Sequence, residues 1–262
     1  MHSLRRSVGE LATEKPVIPE VFKGLTRRQV TIRRGEVSMI AGAPGAGKST
    51  LALKLAVGSG VPTLYFSADT HKATMTLRCI AMLSGYPQKV TEGYMVAKPE
   101  WAAQVLASAD HISWCFDPAP SLQDVEEEIL VYREVNGQDP QLIVIDNAVD
   151  VTFESGDEFS SLRALMREVK WWARETNAAL LLLHHTSEAQ FRTQSPCPPR
   201  HAIHGKVSQI PALILTVAST QSRMFVAPVK NRYGPADPSG NVHATLAYDP
   251  STMFLGDLHH DE

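Results

Sequence analysis

Lys48-Ser49 closes the run Gly42-Ala43-Pro44-Gly45-Ala46-Gly47-Lys48-Ser49, which has the spacing G-x-x-x-x-G-K-S. Such a run can grip phosphate. Glycines let the backbone curl until several N–H groups converge on one anion, and a helix opening at the same point adds its positive end. A lysine in this position reaches the β and γ phosphates of a nucleoside triphosphate, and the following hydroxyl can bind Mg²⁺. The flanks fit: Glu36–Ala41 reads as a buried strand and Thr50–Ala56 as a helix.

A phosphate site needs partners, and these are expected just past strand ends, where ligands bind in open α/β sheets. Six residues qualify: Asp69, Asp146, His184, His185, Lys230 and Arg232. Asp146 follows the apolar run Leu142–Ile145 and suits a Mg²⁺ and its waters, beyond the alternative of a strand-end cap. Asp69 could orient and deprotonate an attacking water, or cap the helix after it; Glu154 and Asp157 are rivals in a loop. His185 could donate to a γ-phosphate and report its presence to the segment that follows. A metal site built from His184, His185, His201 and His204 is disfavoured, because adjacent strand residues point to opposite faces. Lys230 and Arg232 share one strand face. They could serve a nucleotide held by a neighbouring subunit, or belong to a basic hairpin facing solvent.

The elements that must position these groups alternate. Strands are expected at 62–67, 111–116, 142–146, 180–185, 212–217 and 224–230, and helices at 72–84, 100–109 and 121–135. Leu122, Val125, Ile129 and Val135 should face inward on the last of these. Leu162, Leu165, Met166, Val169 and Trp172 mark one face of a further helix. Residues 186–206 read as a long loop. Continuous apolar strands separated by helices predict an α/β fold with a mainly parallel central sheet and helices on both faces. Residues 1–30 read as a basic arm or linker, 31–255 as the core, and 256–262 as a tail.

Composition bounds the rest. At 262 residues and 44% hydrophobic content, one large domain with a buried core is expected. No run approaches the ~20 apolar residues of a membrane span, and no secretory signal opens the chain. Cys79, Cys115 and Cys197 form no C-x-x-C pair, which suggests reduced thiols in a cytoplasmic setting. Net charge is only −3 but unevenly spread: Met1–Arg34 holds eight bases against three acids, and Thr186–Arg232 six bases against one acid. Such asymmetry can present a positive surface to an anionic polymer.

Gly42 to Thr50, Phe66-Ser67-Ala68-Asp69, Leu142 to Asp146, the His184-His185 strand end and Lys230-Asn231-Arg232-Tyr233-Gly234-Pro235, in this order, resemble the motor domain of DnaB-type hexameric replicative helicases. The resemblance spans about residues 20–250 and implies a RecA-like P-loop NTPase fold. By position it implies that Gly42, Ala43, Pro44, Gly45, Ala46, Gly47, Lys48, Ser49 and Thr50 hold ATP, and that Ser49 and Asp146 hold Mg²⁺. Asp69 stands where the family has a catalytic Glu, and His185 where it has a Gln. Lys230 and Arg232 match residues that reach a neighbour's γ-phosphate. Loops at about 151–160 and 187–207 match those facing DNA, with Arg192, Arg200 and Lys206 as basic candidates. The implied protein is an ATP-dependent motor, a ring-forming helicase translocating on single-stranded DNA, with hexameric assembly and replication proteins as partners. The family's N-terminal primase-binding domain has no counterpart in this sequence, and a phage or plasmid origin would place the chain in a host cytoplasm. Two other functions share the core: a RecA- or RadA-like recombinase filament, and a weak ATPase acting as a nucleotide-gated DNA-binding or assembly protein.

Overall fold

The computed structural model describes residues 17–152, 158–187 and 195–258; of residues 158–160 and 206 it describes the backbone alone. The described elements are α1 (Lys23–Thr26), β1 (Val37–Gly42), α2 (Lys48–Ser59), β2 (Thr63–Ser67), α3 (Lys72–Ser84), α4 (Gln88–Ala97), α5 (Pro99–Leu106), β3 (Ile112–Cys115), α6 (Leu122–Asn136), β4 (Leu142–Asp146), α7 (Glu158–Glu175), β5 (Ala179–His185), β6 (Leu213–Ser219), β7 (Arg223–Asn231), β8 (Ala244–Asp249) and β9 (Phe254–Asp257). The strands form one sheet in the order β3-β2-β4-β5-β1-β6-β7-β8-β9.

From β3 to β6 all pairings are parallel; β7, β8 and β9 add antiparallel strands. The parallel strands are apolar on both sides because each face is covered. Leu181 and Leu183 of β5 join the layer holding Leu51 of α2 and Met75 of α3. Leu180 and Leu182 join the opposite layer with Ile129 of α6 and Leu165 and Trp172 of α7. The RecA-like, mainly parallel architecture expected from the sequence is therefore the one present.

Local signals set the helix ends. Ser121 and Asp124 form a reciprocal capping box at the start of α6, and Gly137, at φ 66°, ends it in the left-handed region. Pro99 opens α5. The sequence leaves α4, β8 and β9 unassigned.

Two expectations need revision in detail. Ile18, Phe22, Leu25 and Val30, in the stretch read as an arm, are buried in the core layer that contains α2. Val135 is 78% exposed, and Tyr132, one turn earlier, takes the inward place instead. Val135 stands six residues after Ile129, a spacing that turns it off the face shared by Val125, Ile129 and Tyr132.

That difference sets a test by denaturant unfolding. Ile129→Ala should cost about 2–5 kcal/mol, as a buried deletion does, whereas Val135→Ala should stay within about 0.5 kcal/mol. Equal losses at the two positions would contradict the assigned face.

Candidate functional site

The carboxyl ends of β1, β2, β4 and β5 converge on a cleft of about 430 Å³. It is lined by Gly45, Gly47, Lys48, Ser49, Thr50, Asp69, Asp146 and His185, among others. β1 runs into the glycine loop, which hands over to α2 at Gly47, whose φ of 90° is open chiefly to glycine. A Cβ at Gly47 would also lie 2.5 Å from Met224 Cε, the movable end of a flexible side chain, so it is chiefly the turn's φ that calls for glycine. The same sharp turn aims the first N–H groups of α2 into the cleft.

Lys48 is only 7% exposed. Its Nζ donates to the carbonyls of Gly42 (3.2 Å) and Ala43 (3.0 Å) and lies 3.4 Å from His185 Nδ1. Burial lowers its pKa, while Asp146 and Asp69 act to hold the charge. The ammonium thus folds back over the loop, held where a β- or γ-phosphate would take over from the carbonyls.

Asp146 ends β4 at 3% exposure. Burial pushes its pKa up to about 6, against hydrogen bonds from Ser49 and Tyr65 and the Lys48 charge. The Tyr65 hydroxyl donates to Asp146 Oδ2 at 3.2 Å. A buried carboxylate beside a serine hydroxyl, short of full compensation, is a donor set that fits a Mg²⁺ ion.

His185 sits between two partners. With Nδ1 toward the Lys48 ammonium it accepts there, so Nε2 carries the proton; Asn147 Nδ2 is placed 2.6 Å from Nε2 while Asn147 Oδ1 is buried without a partner, and turning the carboxamide over lets Oδ1 accept from Nε2–H. Burial, then Lys48, lowers the imidazole pKa and favours this neutral form. The following backbone is tied down: Thr186 N–H donates to Gly42, and Ser187 N–H to Ala202 at 2.8 Å. His184 turns the other way, with Nε2 3.0 Å from the His204 carbonyl, so the two histidines do not share a site.

Asp69 lines the cleft from the turn after β2, a turn closed by Ser67 Oγ donating to the Thr70 carbonyl. Asp150, which the sequence does not single out, stands close enough to feel it: burial, then the Asp69 charge, pushes Asp150 up. Glu154, Asp157 and Arg192 lie outside the described residues, as does the side chain of Lys206, whose backbone lies in the turn His204–Gln209.

Lys230 and Arg232 occupy the opposite edge of the sheet, which corrects the expectation that they stand with the other candidates at the carboxyl ends. β7 is antiparallel to β6, with Ile214 facing Lys230, and Ile214 faces Met39 of β1. Arg232 Nη1 lies 3.3 Å from both oxygens of Glu36, the residue before β1, and Tyr233 also donates to Glu36. Gly42 lies six residue steps beyond Glu36, about 20 Å at strand rise. Lys230 Nζ donates to the carbonyls of Ser208 (3.0 Å) and Gln209 (2.7 Å), and Arg200 Nη2 to the same Ser208 oxygen at 3.2 Å. Burial, then Arg200 and Arg232, lowers the Lys230 pKa to about 8. Arg200 is thereby gathered with the Lys230 pair.

Residues with no motif complete the cleft: Arg78, Gln88, Tyr248, Pro250 and Met253. Gln88 joins its two sides, donating from N to Ser251 (2.7 Å) and from Nε2 to Pro250 (3.0 Å). No local pattern could mark these residues, since the pairing spans some 160 positions.

The raised Asp146 pKa has a consequence for stability. An acid raised from 3.8 to about 6 burdens the ligand-free fold at pH above about 6, and the burden fades as pH falls through 6 toward 3.8. Asp146→Asn should therefore stabilise the ligand-free protein by about 1–3 kcal/mol near neutral pH. Thermal melts should show the gain shrinking toward pH about 4, and Mg-ATP should stabilise the wild type but not the variant. A variant no more stable than the wild type at neutral pH would contradict this.

Comparison with known proteins agrees with this geometry. The AAA-domain family matches residues 4–190. The Gene 65 protein of Mycobacterium phage L5 is 31% identical, covering 99% of this chain and all of its own length. The Gene 65 protein of Mycobacterium phage D29 is 33% identical over 85% of this chain and 99% of its own. Among solved structures, an isolated ATPase domain superposes with a TM-score of 0.82 at 17% identity, over 98% of this chain and 97% of that one. A DnaB-like replicative helicase, solved in a study of its interactions with primase, gives a TM-score of 0.81 at 16% identity, over 98% and 68%. The chain thus belongs to the AAA-domain family, with the mycobacteriophage Gene 65 proteins among its relatives, and is a P-loop ATPase built on the RecA-like motor fold of DnaB-type helicases.

Proposed function

We propose that this protein is a ring-forming DNA motor, a DnaB-like helicase that hydrolyses ATP between subunits and moves along single-stranded DNA. The observation that carries this reading is the separation of Lys230 and Arg232 from the chain's own phosphate loop. An arginine pinned beside Glu36, about 20 Å back along β1, cannot reach a nucleotide at Gly42–Ser49 of the same chain. Cations placed there serve a phosphate presented by a neighbour.

In that arrangement the backbone of Gly42–Gly47 and the Lys48 ammonium hold the triphosphate. Lys48 exchanges its carbonyl partners for phosphate oxygens. Ser49 and Asp146 would hold Mg²⁺, which when bound neutralises charge on the β and γ oxygens. Asp69 orients the attacking water and accepts its proton. Its shorter side chain, where the family has Glu, suits a relay through a second water. Lys230 and Arg232 of the adjoining protomer take up the charge that builds on the transferred phosphoryl group. Arg232 must leave Glu36 to do so. That pair is half exposed and costs little to break, about 0.2–1 kcal/mol.

His185 is suited to sense the γ-phosphate, because it contacts Lys48 on one side and Asn147 on the other. A phosphate that draws Lys48 away frees Nδ1 and shifts the strand end. The segment beyond His185 is laced to Ala202, Ile203 and His204, so the shift would travel into the loops that follow.

Arg232→Ala should lower ATP turnover by about 10³-fold or more while leaving ATP affinity within about twofold, measured by steady-state turnover and by titration calorimetry. Single-stranded DNA should stimulate the wild-type rate, less so as salt rises. Turnover that survives Arg232→Ala and ignores DNA would instead favour a nucleotide-gated assembly protein.

A further inference from the structure

The outer end of the sheet carries a second concave surface. A groove of about 860 Å³ runs between α1 and the strands β7–β9, lined by Lys23, Arg27, Arg28, Arg223 and Phe254. Four cations meet there: Lys23, Arg27 and Arg28 from the basic first 34 residues, which the nucleotide site does not use, and Arg223 from β7. Asp257, the one acid in the lining, already accepts from the N–H groups of Lys23 and Gly24, both at 2.8 Å. No salt bridge among the described residues reaches any of the four cations. Arg28 Nε is buried and has no partner, and the Phe254 ring is 49% exposed beside them.

We propose that this groove binds single-stranded nucleic acid. Clustered cations raise one another's energy, and a phosphate backbone relieves this while releasing its own counterions. A strand with unpaired bases meets both features at once, its phosphates on the cations and a base stacked on the exposed part of the Phe254 ring, since any base can stack there. Two pairs of consecutive residues divide between the groove and the nucleotide cleft. Met253 lines the cleft while Phe254 lines the groove, and Met224 packs on Gly47 while Arg223 lines the groove. Binding does not depend on the motor reading, because the groove stands without nucleotide.

The test is fluorescence anisotropy on the full chain, without nucleotide, using labelled oligothymidylate and oligouridylate of about 20 nucleotides. Arg27→Glu/Arg223→Glu should weaken binding at least tenfold and reduce the slope of log affinity against log salt by about 2. Phe254→Ala should weaken it about tenfold with the slope unchanged. Circular dichroism and ATP turnover without nucleic acid should match the wild type in both variants, which separates this result from any failure of the motor reading. Wild-type affinity in both variants would overturn the proposal. So would unchanged affinity with an altered mass in light scattering, which would make the groove a contact between copies of the chain.

Discussion

The reversal of strand direction between β6 and β7 governs the function of this molecule. Up to β6 every strand delivers its carboxyl end to the same edge, and the phosphate loop, Asp69, Asp146 and His185 collect there. β7 turns back, so its last residues and the cations beyond them emerge at the far edge. A rigid sheet cannot bring its two edges together. On the proposed reading, one protomer therefore holds half a site at each end, and a second copy completes either half.

Within the nucleotide half, buried charge stands ready for a ligand. Lys48 and Asp146 are held out of water, with carbonyls, hydroxyls and an imidazole offsetting part of the cost. Such groups strain the ligand-free fold and strengthen contacts to a bound triphosphate, because the surroundings are already arranged and desolvated. The large apolar layers on both faces of the sheet tolerate that burden. At the far edge, Lys230 and Arg200 share the Ser208 carbonyl and Arg232 rests on Glu36. These are modest partners that an incoming phosphate can replace.

Much of this was legible in the sequence wherever the signal was local. The glycine loop, the apolar strands ending at Asp146 and His185, and the inward stripe of α7 each declare themselves within a few residues, and each lies where its pattern places it. What pairing decides was not legible. The direction of β7 follows from its partner and not from its own residues, so Lys230 and Arg232 read as strand-end candidates of the same kind as Asp146. Arg78 and Gln88 reach the cleft from α3 and α4, Tyr248 and Pro250 from β8 and the turn after it, and the Gln88 bonds to Ser251 and Pro250 tie these distant segments together. Arg200, read as a DNA contact from its basic loop, lies beside Lys230 because both meet Ser208. Val135 is apolar but lies six residues from Ile129, off the face that Val125, Ile129 and Tyr132 share.

The direct test of a site divided between protomers is to mix two inactive proteins. Lys48→Ala removes the phosphate grip but keeps the far-edge cations; Arg232→Ala does the reverse. Mixed under conditions that let subunits exchange, they should form junctions with one intact Lys48 and one intact Arg232, and ATP turnover should return to about a quarter of the wild-type rate at equal proportions if junctions act independently. If the mixture stays as inactive as its components while exchange is demonstrated, the division of the site between neighbours is contradicted.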